Sequence, residues 1–194
     1  MKVVIASGNS GKIHEFRAML EPLEFEIIPQ TELNVPPVAE TGLTFVENAL
    51  IKARHATAYT RLPAIADDSG LVVPALNGEP GIYSARYSGE HALDNQNNKK
   101  LLSNMENLPE SKRQAYFYCS LVFIRHEQDP VPLIAHGQWQ GSILREPRGE
   151  HGFGYDPIFY VPERHCSSAE LTTEIKNQIS HRALALQDLL KQLK

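Results

Sequence analysis

The first 28 residues alternate strand, helix and strand, and this order constrains the fold more than any later segment. Val3–Ala6 is an apolar, β-branched run that breaks at Ser7-Gly8, so it reads as a buried strand. Ile13–Leu23 reads as a helix, with Ile13, Phe16, Met19 and Leu20 on one face at helical spacing. Phe25–Ile28 reads as a second strand. A β-α-β opening favours a right-handed crossover, with Ser7–Lys12 at the carboxyl end of the first strand.

The remainder keeps helices early and pairs strands late. Thr31–Glu40 contains Pro36-Pro37 and should be irregular. Thr44–Thr57 is the clearest helix, with Val46, Ala49, Leu50 and Ala53 on its apolar face. Pro63–Ala66 is a short apolar strand that delivers Asp67-Asp68 to a break at Ser69-Gly70. His91–Met105 reads as a helix with a strongly polar Asp94–Lys100 part. Ala115–Ile124 and Leu133–Ile143 alternate as paired strands, and Ile158–Val161 is a short strand. Ile179–Leu193 is an amphipathic helix with Ile179, Ala183, Leu186, Leu190 and Leu193 as its stripe. The pattern is α/β or α+β on a mixed sheet, with no linker or repeat, so residues 1–194 read as a single domain.

Composition excludes several classes. A chain that is 42% hydrophobic and 22% charged can build a core without staples. Its net charge of -4 argues against a general nucleic-acid binder, while still allowing a local basic pocket for a small anion. The N-terminal apolar run is too short for a signal peptide, and no stretch approaches a membrane span. Cys119 and Cys166 are far apart and in no metal spacing, as expected of reduced thiols in a cytoplasmic protein.

Five segments have residue types suited to chemistry, and each also has a plainer structural explanation. Ser7-Gly8-Asn9-Ser10-Gly11-Lys12 joins a strand to a helix N-terminus, where backbone N–H groups and a lysine suit a phosphate. It is not a Walker A motif, because only two residues separate its glycines and Ile13 follows the lysine. The plainer reading is a tight turn with a surface lysine. Thr44-Phe45-Val46-Glu47 fits a capping box, which accounts for Glu47 but not for Asn48, Lys52 or the upstream Glu40. Asp67 and Asp68 are adjacent on a strand, so only one should face a given cleft. The other could cap a turn. Gly152-Phe153-Gly154-Tyr155-Asp156 places a ring between glycines, followed by an acceptor that suits a planar base; a hairpin corner is the plainer reading. Ser180-His181-Arg182, with Lys176 before it, offers donors to a carbonyl or phosphate or else a solvated helix end. Cys119 and Trp139 read as packing residues.

Taken together, these segments resemble the inosine-triphosphate pyrophosphatase family, the noncanonical purine nucleoside triphosphate pyrophosphatases. The match runs nearly end to end through Ser7–Lys12, Glu40–Ala49, Lys52–Arg54, Ala66–Gly70, Pro80–Arg86, Gly152–Pro157 and Ser180–Arg182. Seven motifs in order make chance resemblance a poor explanation. The resemblance implies an elongated, two-lobed α/β fold on a long mixed sheet flanked by helices, with a central active-site cleft, and a homodimer. It implies Mg²⁺-dependent hydrolysis of ITP, dITP and XTP to the monophosphate and pyrophosphate, a reaction that keeps deaminated purines out of DNA and RNA. Asp68 would be the catalytic acidic residue and, with Glu40, a Mg²⁺ ligand. Ser7, Gly8, Asn9, Ser10, Gly11, Lys12 and Lys52 would hold the triphosphate, and Ser69 would touch substrate. Phe153, Gly154, Tyr155, Asp156, Lys176, His181 and Arg182 would surround the base.

On this reading Asp68 accepts a proton from the water that attacks the α-phosphorus. Arg182 or His181 donates to the purine O6, and Asp156 accepts from a ring N–H. Two competing readings are a pyrophosphatase of modified pyrimidines and a nucleotide-binding regulator without turnover. The Phe153–Asp156 and Ser180–Arg182 segments argue against the first, and the intact acids Glu40, Asp67 and Asp68 against the second.

Overall fold

The structure is a computed structural model that describes residues 1–20 and 25–193. Its seven strands form one mixed sheet in the order β2-β1-β3-β4-β5-β6-β7. They are β1 (Lys2–Ile5), β2 (Glu26–Pro29), β3 (Ala64–Val72), β4 (Gln114–Ile124), β5 (Leu133–Ile143), β6 (Phe159–Val161) and β7 (Cys166–Ser167). The α-helices are α1 (Ser10–Leu20), α2 (Phe45–Thr60), α3 (Asp94–Asn104), α4 (Thr173–Ile179) and α5 (His181–Gln192). β1 pairs in parallel with both β2 and β3, as the β-α-β opening requires, whereas β5–β6 and β6–β7 are antiparallel. Leu23, the expected end of the first helix, lies outside the described residues.

The chain divides into two compact units. The first comprises Met1–Asp68, Cys119–Gly137 and Arg182–Lys194; the second comprises Ser69–Tyr118 and Gln138–His181. The boundaries fall inside β3, β4 and β5 and after the first residue of α5 rather than in linkers.

In the first unit, alternation along the strands sends side chains into two separate cores. Val3, Ile5 and Ile65 pack with Phe16 and Leu20 of α1 and Ala185, Leu186 and Leu189 of α5. Val4, Ala64 and Ala66 pack with Ala49, Ala53 and Ala56 of α2. α2 starts where the capping box places it. Thr44 Oγ1 accepts from the Glu47 N–H at 3.3 Å, and Glu47 Oε2 accepts from the Leu43 N–H at 2.9 Å. The second unit has its own core, in which Phe117, Trp139 and Phe159 cluster with ring centroids 4.6–6.2 Å apart. Cys119 and Trp139 are packing residues, as expected.

Two of the boundaries that differ from the sequence reading lie in the candidate segments. β3 does not end before Ser69-Gly70 but continues to Val72, so the two aspartates lie mid-strand. A strand with neighbours on both sides has its backbone groups paired whatever its side chains, and local Ser-Gly chemistry cannot break it. The expected Ile179–Leu193 helix begins at His181 instead, because Ile179 ends α4 and Ser180 is extended between the two helices. No helix among the described residues is long and apolar enough to cross a membrane.

Candidate active site

The parity of β3 separates the two aspartates. Asp67 shares its face with Ile65, toward α1 and α5, and Asp68 shares its face with Ala64 and Ala66, toward α2. Each acid therefore meets a different set of partners.

Asp67 is 2% exposed, and Lys12 Nζ lies 2.8 Å from its Oδ2. Arg182, also buried, pairs with Glu15 at 2.9 Å and acts electrostatically on Asp67. Burial pushes the Asp67 carboxyl up, but Lys12, Arg182 and Lys52 outweigh burial and bring its pKa down to about 2. A depressed carboxyl stabilises the fold above its ordinary pKa and loses that contribution as pH falls toward the depressed value. We expect Asp67 to supply roughly 2 kcal/mol at neutral pH, lost between about pH 4 and 2. Urea unfolding across this range should show a steeper acid decline for the wild type than for Asp67→Asn. Parallel declines would rule the contribution out.

Asp68 faces a different group. Asn48 Nδ2 donates to its Oδ2 at 3.2 Å, and Lys52 Nζ stands 3.4 Å from its Oδ1. The same ammonium is 3.3 Å from Glu40 Oε1. Glu40 is brought there by the turn before α2, whose Gly42 N–H donates to Asn48 Oδ1 at 2.8 Å. A side chain at Gly42 would collide with Glu47 and Asn48, so close packing of this turn requires glycine. Burial raises the Asp68 pKa; Lys52 and Lys12 pull it down, Glu40 and Asp67 add to the rise, and the net shift is upward.

Glu40 and Asp68 thus share one cation, the Lys52 ammonium. No group of three or more His, Cys, Asp or Glu suited to a metal occurs among the described residues. Two carboxylates are nevertheless the set that Mg²⁺ accepts when phosphates and water complete its octahedron. The donors present fit that ion.

The Ser7–Lys12 segment forms the turn into α1, and its last three residues are the first turn of the helix. Asn9 Oδ1 accepts from the Lys12 N–H at 3.1 Å and so caps the helix. Ser7 Oγ accepts from the Asn9 N–H at 3.2 Å. A Cβ built on Gly8 meets nothing within 4 Å, so open space adjoins the turn. A helix N-terminus, a lysine and open space suit an anion.

The second unit holds the other segment. Asp156 is 2% exposed, and its carboxylate accepts from three internal donors. These are Lys176 Nζ at 2.6 Å, Ser168 Oγ at 2.7 Å and the Phe153 N–H at 2.9 Å. Lys176 Nζ also stands over the Phe153 ring, 4.9 Å from its centroid. His181 is buried and stacks on Phe117 at 4.8 Å.

Several of the expected site residues have internal partners in the structure. Asp156, expected to accept from a base, is buried with both oxygens engaged by Lys176, Ser168 and the Phe153 N–H. Arg182 was expected beside His181 at the base; its ion pair is with Glu15, near Asp67. Tyr155 is also internal, with its hydroxyl donating to the Ser84 carbonyl at 2.8 Å. Ser69 follows Asp68 in β3 and is half-buried. Asn48, Glu15 and Ser168 were not among the expected site residues. The i, i+4 spacing of Asn48 and Lys52 was a usable signal; Ser168 gave none, because only the fold brings it to Asp156.

The model of the Ham1 family matches residues 3–192. A dITP/XTP pyrophosphatase of Vibrio parahaemolyticus is 58% identical over 192 residues, covering 99% of this chain and 96% of that protein. One from Vibrio cholerae is 57% identical over 190 residues, covering 98% and 95%. Among solved structures, a HAM1 protein from Coxiella burnetii superposes with a TM-score of 0.92 at 52% identity, covering 100% of this chain and 98% of that one. The Staphylococcus aureus Ham1 protein gives 0.86 at 43% identity, with both chains fully covered.

Proposed function

Because the chain belongs to the Ham1 family, we propose that it hydrolyses ITP, dITP and XTP to the monophosphate and pyrophosphate, clearing deaminated purines from the nucleotide pool. The observation that carries the reading is the setting of Asp68: a buried carboxylate with a raised pKa, oriented by Asn48 and flanked by Lys52 and Glu40. A pure binding site has no use for a carboxylate whose basicity is increased in this way.

The first unit supplies the groups for the triphosphate. Lys12, Lys52 and the N-terminus of α1 give positive potential to a ligand with about four negative charges. Asp67 holds the Lys12 ammonium in place. Glu40 and Asp68 would hold Mg²⁺, which supplies charge neutralisation for the departing pyrophosphate. Asp68 takes a proton from water as the water oxygen bonds to the α-phosphorus and the α–β bridging oxygen leaves. Before a metal is bound, burial and the neighbouring acids raise the proton affinity of this carboxylate.

The second unit supplies the groups for the base. Phe153 offers a stacking face, and the Lys176 ammonium stands over it. An ammonium is a donor without an acceptor, so it suits the 6-oxo group of hypoxanthine or xanthine and opposes the 6-amino group of adenine. His181 is a second donor. Unpaired polar groups at such a site can discriminate by roughly 10⁴. We further read residues 1–194 as one functional domain, because β3, β4 and β5 run through both units without a linker. A homodimer in the cytoplasm completes the reading.

A substrate panel with Mg²⁺, scored for pyrophosphate, tests it. ITP, dITP and XTP should turn over at least about a hundredfold faster than ATP or CTP, in kcat/KM. Equal rates on ATP would remove the role given to Lys176, and orthophosphate as product would place the cleavage at another bond.

A further inference from the structure

α3 carries a feature that the reaction described above does not use. Its Asp94–Lys100 part is strongly polar, yet Asn97 and Asn98 are buried. Asn97 ties down the neighbouring loop: its Oδ1 accepts from Ser88 N–H and Oγ, and its Nδ2 donates to the Ala85 carbonyl. Asn98 and Asp94, one helical turn apart, reach the glycine beside Phe153. Asp94 Oδ2 accepts from the Gly154 N–H at 2.7 Å, and Asn98 Nδ2 donates to the Gly154 carbonyl at 3.0 Å. One helix face therefore holds both polar groups of a single residue.

That residue needs holding. Phe153 lies between Gly152 and Gly154, at φ +77° and +63°, and glycine flanks leave a chain with wide conformational freedom. The Phe153 N–H is fixed by Asp156, and α3 fixes the Gly154 groups that follow. A Cβ on Gly154 would meet nothing within 4 Å, so packing does not immobilise this point and the hydrogen bonds must. Nor do these contacts serve α3 itself. Its N-cap is Leu93, which lacks a side-chain acceptor, and Asp94 reaches Gly154. Asn98 keeps a buried Oδ1 without a partner among the described residues, a cost that an apolar residue would avoid.

We propose that Asp94 and Asn98 are positioning residues for the Phe153 ring, and that through Gly154 they set the affinity for the purine. The inference rests on the reading of Phe153 as the stacking face. Preorganisation of a ring is worth what its ordering would otherwise cost when ligand binds, so the loss should appear in ligand affinity rather than in the chemical step.

The test compares Asp94→Ala, Asp94→Asn, Asn98→Ala and Phe153→Ala in the full chain, with ITP as substrate and inorganic tripolyphosphate as an inhibitor that lacks a base. Asp94→Ala should raise the KM for ITP about tenfold with kcat little changed, and leave tripolyphosphate inhibition within about twofold. Asn98→Ala should act in the same direction. Asp94→Asn, which can still accept from the Gly154 N–H, should recover most of the loss. Asp94 is exposed, so its variants should fold even if Asn98→Ala does not. A raised KM in Phe153→Ala but not in Asp94→Ala would overturn the clamp alone. Weakened tripolyphosphate inhibition in Asp94→Ala would reduce Asp94 to a general structural role. An unchanged KM in Phe153→Ala would overturn the stacking reading on which the clamp depends.

Discussion

Asp68→Asn should lower kcat for ITP hydrolysis by about a thousandfold or more, while ITP still binds. Asparagine is nearly isosteric with aspartate, and its carbonyl can keep the hydrogen bond from Asn48 Nδ2. What it loses is the lone-pair basicity needed to take a proton from water, together with one of two carboxylates around the Lys52 ammonium. The triphosphate side retains Lys12, Lys52 and the N-terminus of α1, so affinity persists. Single-turnover pyrophosphate release and calorimetric ITP binding separate these effects. Asp67→Asn is the informative control. Asp67 is locked to Lys12 on the other face of β3, and its pKa of about 2 makes it a poor base. That variant should weaken phosphate engagement and acid stability. Substantial activity in Asp68→Asn, paired with none in Asp67→Asn, would transfer the proton to Asp67.

The second large effect concerns stability. Asp156→Ala should lower the unfolding free energy by about 3–5 kcal/mol. The change leaves the buried Lys176 ammonium without the carboxylate 2.6 Å away and removes the acceptor for Ser168 Oγ and the Phe153 N–H. An uncompensated buried charge is the main cost, so the double variant Asp156→Ala/Lys176→Met should be more stable than Asp156→Ala alone. Urea unfolding of the two variants and the wild type measures both quantities. A loss below about 1 kcal/mol for Asp156→Ala would show that the pair is hydrated and weakly coupled. The double variant should lose the preference for ITP over ATP whatever its stability, because the donor over Phe153 is gone.

Several of these features were legible in the chain. The parallel β1–β2 pair follows from the apolar run, break and helical spacing of the first 28 residues, since both periods are local. The α2 cap follows from Thr44 and Glu47 for the same reason. Alternation along a strand separates Asp67 from Asp68 before any coordinates are known, and the structure places them on opposite faces. The end of β3 was not legible. Ser69-Gly70 looks like a stop, but strands paired on both sides override local propensity. The break at Ser180 was missed as well, because an apolar stripe reads through a cap when both helices present the same spacing.

The residues that hold the acids and the ring divide along the same line. The sequence by itself determines which chemical groups exist and which strand or helix bears them: Asp68 on a strand, Lys52 on α2, and Phe153 between glycines. Only the tertiary structure decides what each group faces. It turns Asp156 inward to Lys176, pairs Arg182 with Glu15 and brings Asp94 to Gly154, 60 positions away. The physical reason is range. Periodicity and capping act within a few residues, whereas burial, ion pairing and hydrogen bonding act between any groups that packing brings within about 3–4 Å.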